Sequence, residues 1–378
     1  MKPKVMDSDN PFLPEEIMTN ILKCLPVKSL IRFRCVCKHW KNLIKSPSFI
    51  EEHLQHSSNE NPLLLLQWDA KCDNQRLRMI DCEMRVLEVH PPPLILREMS
   101  EIVGCSNGLL CVKIFDYCGA SLPSLLLWNP ATIKVRKVPR TIYNLDDGDF
   151  YVGFRFSPIV NDYKIVISRE KELDQEDNRV EVYSLSTGLW REVKVEDFGG
   201  VRLHSHPVTA NGSIFWPGDD SEDDWMIIAF DITMEVFSLL PPPASLYFGS
   251  RPCLTAYENK LATVIENHEL CAIDFWLMDE RTSASGQRCS WSKKYTISTC
   301  LSWYPRCIWM DQIVCDVTDL YKSESEESEC EANNGRHTVL SLLNLRTHVL
   351  EKNFIHRYRV SGIFKYAESL VSVGNYHV

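Results

Sequence analysis

Residues 13–54 read LPEEIMTNILKCLPVKSLIRFRCVCKHWKNLIKSPSFIEEHL. Apolar side chains recur there at helical spacing, and prolines punctuate the run. Asn10 can cap a first helix, and Pro11 or Pro14 suits its first turn, where a missing N–H costs nothing. Glu15 and Glu16 then lie at the positive end of the helix dipole. Ile17, Ile21, Leu22 and Leu25 form one apolar stripe, and Pro26 ends the helix and starts a second that carries Leu30, Phe33 and Val36. A third short helix presents Trp40, Leu43 and Ile44 up to Pro47, with a further turn or two over Phe49 to Leu54. About forty residues bury too little surface to be self-sufficient, so the unit needs a partner surface.

The same stretch resembles an F-box, the adaptor-binding module of cullin-based ubiquitin ligases. The resemblance is carried by Leu13-Pro14-Glu15-Glu16, Ile21-Leu22, Leu25-Pro26-Val27-Lys28-Ser29-Leu30, Arg32-Phe33, Val36-Cys37-Lys38, Trp40, Leu43-Ile44 and Phe49. It implies a Skp1-type adaptor as partner, docked on Leu13, Pro14, Ile17, Leu22, Leu25, Pro26, Leu30, Val36 and Trp40, with a cullin-1-type scaffold reached through the adaptor.

The whole chain of 378 residues has room for this unit and a large β-fold. Its 44% apolar and 24% charged residues are those of a globular protein. No apolar run approaches the roughly 18 residues of a membrane span, and MKPKVMDSDNP lacks the apolar centre of a secretory signal, so neither membrane nor export is expected. The 15 cysteines include no C-x-x-C pair; Cys35 and Cys37 fall in the helical unit, where a small hydrophobe is the expected role. His204-x-His206 has no neighbouring Cys, Asp or Glu in sequence, so no metal or other cofactor is expected. Residues 1–56 carry a charge of +3 and the remainder 32 basic against 45 acidic residues, a balance that argues against nucleic acid as a partner.

From residue 62 onward short strands alternate with turn signals. One hairpin type pivots on a polar turn: around Asn107-Gly108, Asn161-Asp162, Asn211-Gly212, Asn259, Asp311 and Glu368. The intervals between these markers are 54, 50, 48, 52 and 57 residues. Asn-Gly and related pairs tolerate the positive φ angles of tight hairpins. A second type fills the gaps, and four of its five copies turn on Thr132, Thr187, Thr233 and Thr347; a weaker copy, LRMIDCEMRVLEV, precedes the first Asn-Gly turn. Four strands in about fifty residues mark a kelch-like β-propeller, against the alternative of an irregular β-sandwich. The last hairpin, 361–373, pairs with the orphan at 77–89 to close six blades; Leu63–Gln67 is then a strand without a place, and seven blades remain the alternative.

Together with the helical unit, C-S-N-G-L-L-C, L-x-x-W-N-P-A-T, the S-T-G turn between Tyr183 and Trp190, and Y-x-E-S-L-V-S resemble the plant F-box-associated interaction domain. The expected organisation is a flexible N-terminus over 1–10, an all-α F-box over 11–56, an all-β kelch-like propeller over 62–373 and a tail over 374–378. The resemblance implies a non-catalytic substrate receptor of a Skp1–cullin–F-box ligase, cytoplasmic or nuclear. No G-x-S-x-G, phosphate-cradling glycine loop or metal cluster speaks for an enzyme. The alternative is an F-box scaffold or adaptor competitor acting outside a ligase.

For the target, the connections opposite the tight turns are the candidate surface. Segments 168–179, 217–224 and 318–337 hold 16 acidic and 5 basic residues, which suits a basic protein target. The candidate contacts are Asp219, Asp220, Asp223 and Asp224 with the aromatics Tyr143, Tyr247 and Phe248. The stretch from Ser323 to Glu331 reads as a mobile acidic loop, with Ser323 and Ser328 each three residues before a Glu, a pattern acidophilic kinases accept.

Overall fold

A computed structural model of the chain describes residues 14–68, 77–87, 100–115, 124–142, 150–169, 179–193, 201–204, 206–220, 224–243, 252–267, 270–283, 286–298, 303–318, 338–356 and 360–374. Four helices precede the first strand. Helix α1 spans Glu15–Lys23, with Glu15 and Glu16 in its first turn and Pro14 at the N-cap, one position earlier than the first-turn placement. Asn10, Pro11 and Leu13 lie outside the described residues. Pro26 is the N-cap of α2 (Val27–Phe33). Val36 is not helical: it sits in the turn before α3 (Lys38–Lys45).

Cys35 and Cys37 are both exposed, which corrects their reading as small core hydrophobes. Cys37 has extended backbone and caps α3, its Sγ accepting from the Trp40 N–H at 3.4 Å. Ser46 caps α4 and Pro47 starts it. Helix α4 runs over Pro47–Glu60, longer than the turn or two expected, because Phe49, His53 and Ser57 bury one stripe at i, i+4 and i+8.

The remaining described chain forms six antiparallel sheets, a six-bladed propeller. Blade I contains β1 (Leu63–Trp68), β2 (Leu77–Ile80) and β3 (Val86–Leu87); blade II is β4 (Ser100–Ser106), β5 (Leu109–Ile114), β6 (Ser124–Asn129) and β7 (Lys134–Lys137). Blade III is β8 (Phe150–Ser157), β9 (Asp162–Arg169), β10 (Arg179–Ser184) and β11 (Leu189–Val193). Blade IV has its inner strand broken into β12 (Arg202–Leu203) and β13 (Val208–Ala210), both paired to β14 (Ser213–Asp219), then β15 (Trp225–Asp231) and β16 (Val236–Leu240). Blade V is β17 (Cys253–Tyr257), β18 (Lys260–Asn267), β19 (Ala272–Ser283) and β20 (Gly286–Ser298). Blade VI is β21 (Trp303–Trp309), β22 (Gln312–Thr318), β23 (Thr338–Asn344) and β24 (Leu350–His356), and β25 (Val360–Tyr366) returns to blade I.

The closure differs from the sequence expectation. Strand β1, for which no place was found, lies between β25 and β2, with Leu63 opposite Tyr366 and Leu64 opposite Ile80. It therefore closes the ring, and among the described residues no strands are left for a seventh blade. Its run LLLLQW is continuously buried because both faces are packed: Leu63 and Leu65 against blade II, Leu64, Leu66 and Trp68 against blade VI. With β1 filling the position beside β25, residues 367–373 cannot form the second strand of a hairpin and leave the sheet.

Five of the six polar turns are hairpin turns with positive φ at Asn107, Asn161, Asn211, Asn259 and Asp311. The Thr turns share a device. A side chain three residues before each Thr, or two in one case, accepts backbone N–H groups: Asn129 from Thr132 (3.2 Å), Ser184 from Thr187 (3.3 Å), Asp231 from Thr233 (2.8 Å) and Asn344 from Thr347 (3.0 Å). The chain then turns through a left-handed residue at Ile133, Gly188, Glu235 and His348. Each of the six blade-to-blade contacts holds one apolar cluster, so the core is a ring rather than a single centre. Trp190 and Trp291, on the outer strands of blades III and V, each donate Nε1–H to the carbonyl of a proline that follows the preceding blade, Pro139 at 2.8 Å and Pro241 at 2.9 Å.

Candidate functional site

The helical unit has a core of its own: Leu22, Val27, Leu30, Ile44 and Phe49 are fully buried, with Met18, Leu25, Phe33, Trp40 and Leu43 packed around them. Leu22 and Leu30 were expected to face the adaptor. They instead point inward at 1% and 0% exposure, because helices crossing over so short a length need their largest aliphatics between them. Trp40 and Leu25 are half-buried, and the Trp40 indole N–H donates to the Met18 sulfur at 2.9 Å. Pro14, Ile17, Pro26 and Val36 are exposed, as is Ile21. Of the nine expected contacts, Pro14, Ile17, Pro26 and Val36 are the surface residues, and Leu13 lies outside the described residues.

The partner surface that the helical unit needs is supplied first by its own chain. Residues 367–373 run between the helices and blade II. Leu370 inserts into the helical core, and Ala131, from the Thr turn of blade II, packs beside it. Asn129 is fully buried and ties this strap to blade II: Nδ2 donates to the carbonyls of Ser369 (2.9 Å) and Val371 (2.8 Å) while Oδ1 holds the Thr turn. Arg136 reaches the Val373 carbonyl at 3.4 Å and the Tyr183 hydroxyl at 3.0 Å. Gly108 has φ +75°, and a Cβ there would collide with Ser369 and the Ala367 carbonyl, so the strap lies flat on the Asn-Gly turn.

Two polar contacts complete the joint. The Glu368 carboxylate accepts the Val27 N–H at 3.0 Å, serving the first turn of α2 where Pro26 offers no side-chain cap. His53 on α4 is buried, its Nε2 bonded to the Leu25 carbonyl at 3.0 Å, which requires the Nε2–H tautomer. Its Nδ1 has no partner among the described residues, and desolvation holds the imidazole pKa below its ordinary value. The strap lies in the motif Y-x-E-S-L-V-S and its anchors Asn129 and Ala131 in W-N-P-A-T, but without the fold nothing indicates that the two meet.

The helices sit over the face that carries the tight turns. Leu54, Ser58 and Asn59 of α4 share a cleft with Asn107, Gly108, Met310 and Asp311. Antiparallel pairing within each blade sends the other connections to the opposite face. Asp219, Asp220 and Asp224 lie there, at the end of the β14–β15 hairpin, with the Asp220 and Asp224 backbones bonded across the loop at 3.0 Å. Asp219 also meets the His204 ring, Oδ2 to Nε2 at 2.6 Å, the acidic neighbour that sequence proximity did not offer. Tyr143, Asp223, Tyr247, Phe248 and the acidic stretch around Ser323 and Ser328 lie outside the described residues. Among the described residues no three His, Cys, Asp or Glu side chains group as metal ligands, and no helix is long and apolar enough to cross a membrane.

Comparison with known proteins agrees with both units. Residues 11–52 match the F-box domain and residues 69–373 the F-box associated beta propeller domain. The chain is 29% identical over 307 residues to an F-box/kelch-repeat protein of Arabidopsis thaliana, covering 75% of this chain and 79% of the relative. It is 24% identical over 318 residues to the F-box protein CPR1 of the same plant, covering 75% and 73%. Its fold is also similar to that of TolB from Acinetobacter baumannii, with a TM-score of 0.47 and 12% identity over 84% of this chain and 70% of that one. An F-box joined to a propeller is in general the organisation of a Skp1–cullin–F-box substrate receptor, and a Skp1-type adaptor is the general partner of an F-box. This chain belongs to the family of F-box proteins with an F-box-associated β-propeller domain.

Proposed function

We propose that this chain is the receptor subunit that joins one protein target to a ubiquitin ligase. The F-box docks on the Skp1-type adaptor through the exposed Pro14, Ile17, Pro26 and Val36 with the half-buried Leu25 and Trp40, and the adaptor brings a cullin-1-type scaffold. The target binds the opposite side of the propeller, and its lysines are modified by enzymes that the assembly recruits; the chain contributes position and no catalytic group. Cytoplasm and nucleus are the compartments in which this role operates. The observation that carries the reading is the seat of the helices on the tight-turn face, which leaves the connections around Asp219, Asp220 and Asp224 clear of the adaptor side.

The acidic rim favours a basic target surface. Charge on a rim acts chiefly on encounter, so reversing Asp219, Asp220 and Asp224 together slows association and leaves dissociation little changed. The full-length chain, purified with its adaptor from cells in which cullin activity is blocked, retains the target. Recovery of adaptor without cullin would identify a competitor for the adaptor rather than a ligase receptor.

A further inference from the structure

The inner strands of all six blades surround a central cavity of about 620 Å³, within the range of roughly 300–1,000 Å³ that small-molecule sites occupy. The half-buried Val103, Ile363 and Phe364 give it apolar wall. Its charged or titratable cationic side chains are His206, Arg306 and Lys365, and no carboxylate lines it among the described residues. Two of the three are already answered. Arg306 is held by Asp316 at 2.9 Å and by the Val360 carbonyl at 3.0 Å. Burial lowers the His206 pKa, with Glu101 pulling the other way.

Lys365 differs. It rises from β25, the inner strand of blade I, and its ammonium donates to the Ala256 carbonyl of blade V at 2.7 Å, past the intervening blade VI. It has no carboxylate partner among the described residues. Its side chain keeps accessible surface because it faces the cavity, while the protein around the ammonium desolvates it and lowers its pKa. Lys365 also lines the cleft beneath α4, so it stands where the cavity meets the helical side.

We propose that this cavity is a binding site for a small organic carboxylate with an apolar body, its anionic group on Lys365 and its body against Val103, Ile363 and Phe364. The Lys365 ammonium has one neutral acceptor and no carboxylate beside it among the described residues, and a carboxylate supplies the charge-assisted hydrogen bond that the protein does not. The apolar walls select against inorganic anions, which need more donors than one ammonium offers. This site is independent of the adaptor surface and of the protein-target reading.

The test uses the full-length chain in complex with its adaptor and two probes of equal shape, 2-naphthoate and its neutral amide 2-naphthamide, measured by calorimetry and by saturation-transfer NMR. The wild-type protein binds the acid at least about tenfold more tightly than the amide, a difference of about 1.4 kcal/mol. Lys365→Met loses the preference and Lys365→Arg keeps it, both with unchanged melting temperature. Equal affinity for acid and amide, binding of neither, or a preference that survives Lys365→Met would overturn the proposal. Should Lys365→Met fail to fold, the wild-type comparison and Lys365→Arg decide it.

Discussion

Glu368 bonds Val27 across 341 residues of sequence, its carboxylate oxygen accepting the backbone N–H at the start of α2 at 3.0 Å. This one contact joins the last described segment of the chain to the second helix. It is part of a packed joint between the F-box and the propeller. Leu370 and Asn129 extend the same joint, one into the helical core and one into blade II.

Glu368→Ala removes an acceptor from a helix N-terminus that has no other side-chain cap, at a cost of about 1–2 kcal/mol. The expected result is a melting temperature a few degrees lower and faster proteolysis between α4 and β1, with blade cleavage unchanged. Equal protease sensitivity in both proteins would show that the helices are held without it.

Asn129→Ala leaves the carbonyls of Ser369 and Val371 and the Thr132 N–H without the partners they have now. The loss should reach about 2–4 kcal/mol, read as a lower urea midpoint at unchanged slope. A fall of less than about 0.5 kcal/mol would mean that water replaces the amide and that the strap is not fixed by this residue.

Much of this architecture is legible in the sequence because the rules involved are local. The six-blade repeat shows in turn residues that must accept positive φ, such as Asn107 and Asn161, at nearly constant spacing. The F-box shows in the proline and apolar pattern of residues 13–54. What escapes is non-local. The place of β1 depends on β25 arriving from the far end of the chain, and four leucines in a row do not reveal which strands will flank them. Likewise the stripe through Leu22 and Leu30 marks one face of a helix, but periodicity cannot distinguish a face turned to neighbouring helices from one turned to a partner. Residue type alone makes Cys37 a small hydrophobe, whereas its role follows from backbone geometry before α3.

His53 makes the joint sensitive to acid. Its folded-state pKa lies below the ordinary value near 6.5, so the neutral form is the one the fold favours. Its contribution is complete above about pH 6.5 and is lost as pH falls below it, since the unfolded chain takes the proton first. Unfolding followed from pH 7.5 to 5 should therefore show stability falling at the acid end. His53→Gln, which keeps a donor for the Leu25 carbonyl and does not titrate, should flatten that slope. An identical slope in the variant would assign the acid sensitivity to other groups.

Leu370→Ala opens a hole in the helical core at the point where the strap enters, worth about 2–4 kcal/mol. Hydrogen exchange should rise in α1 to α4 and in the strap while β14, β15 and β18, on the far blades, stay protected. A uniform rise over all blades would show that the ring depends on the strap for its own stability.

The account rests most directly on which apolar side chains of the F-box face outward. Ile17 and Val36 are exposed at 46% and 62%, whereas Leu22 is core. The deciding measurement is the affinity of the full-length chain for a Skp1-type adaptor, with melting temperature recorded alongside. Ile17→Asp combined with Val36→Asp should weaken binding at least about 100-fold at unchanged melting temperature, and Leu22→Ala should lower the melting temperature first. Wild-type affinity in the double aspartate variant would contradict the account.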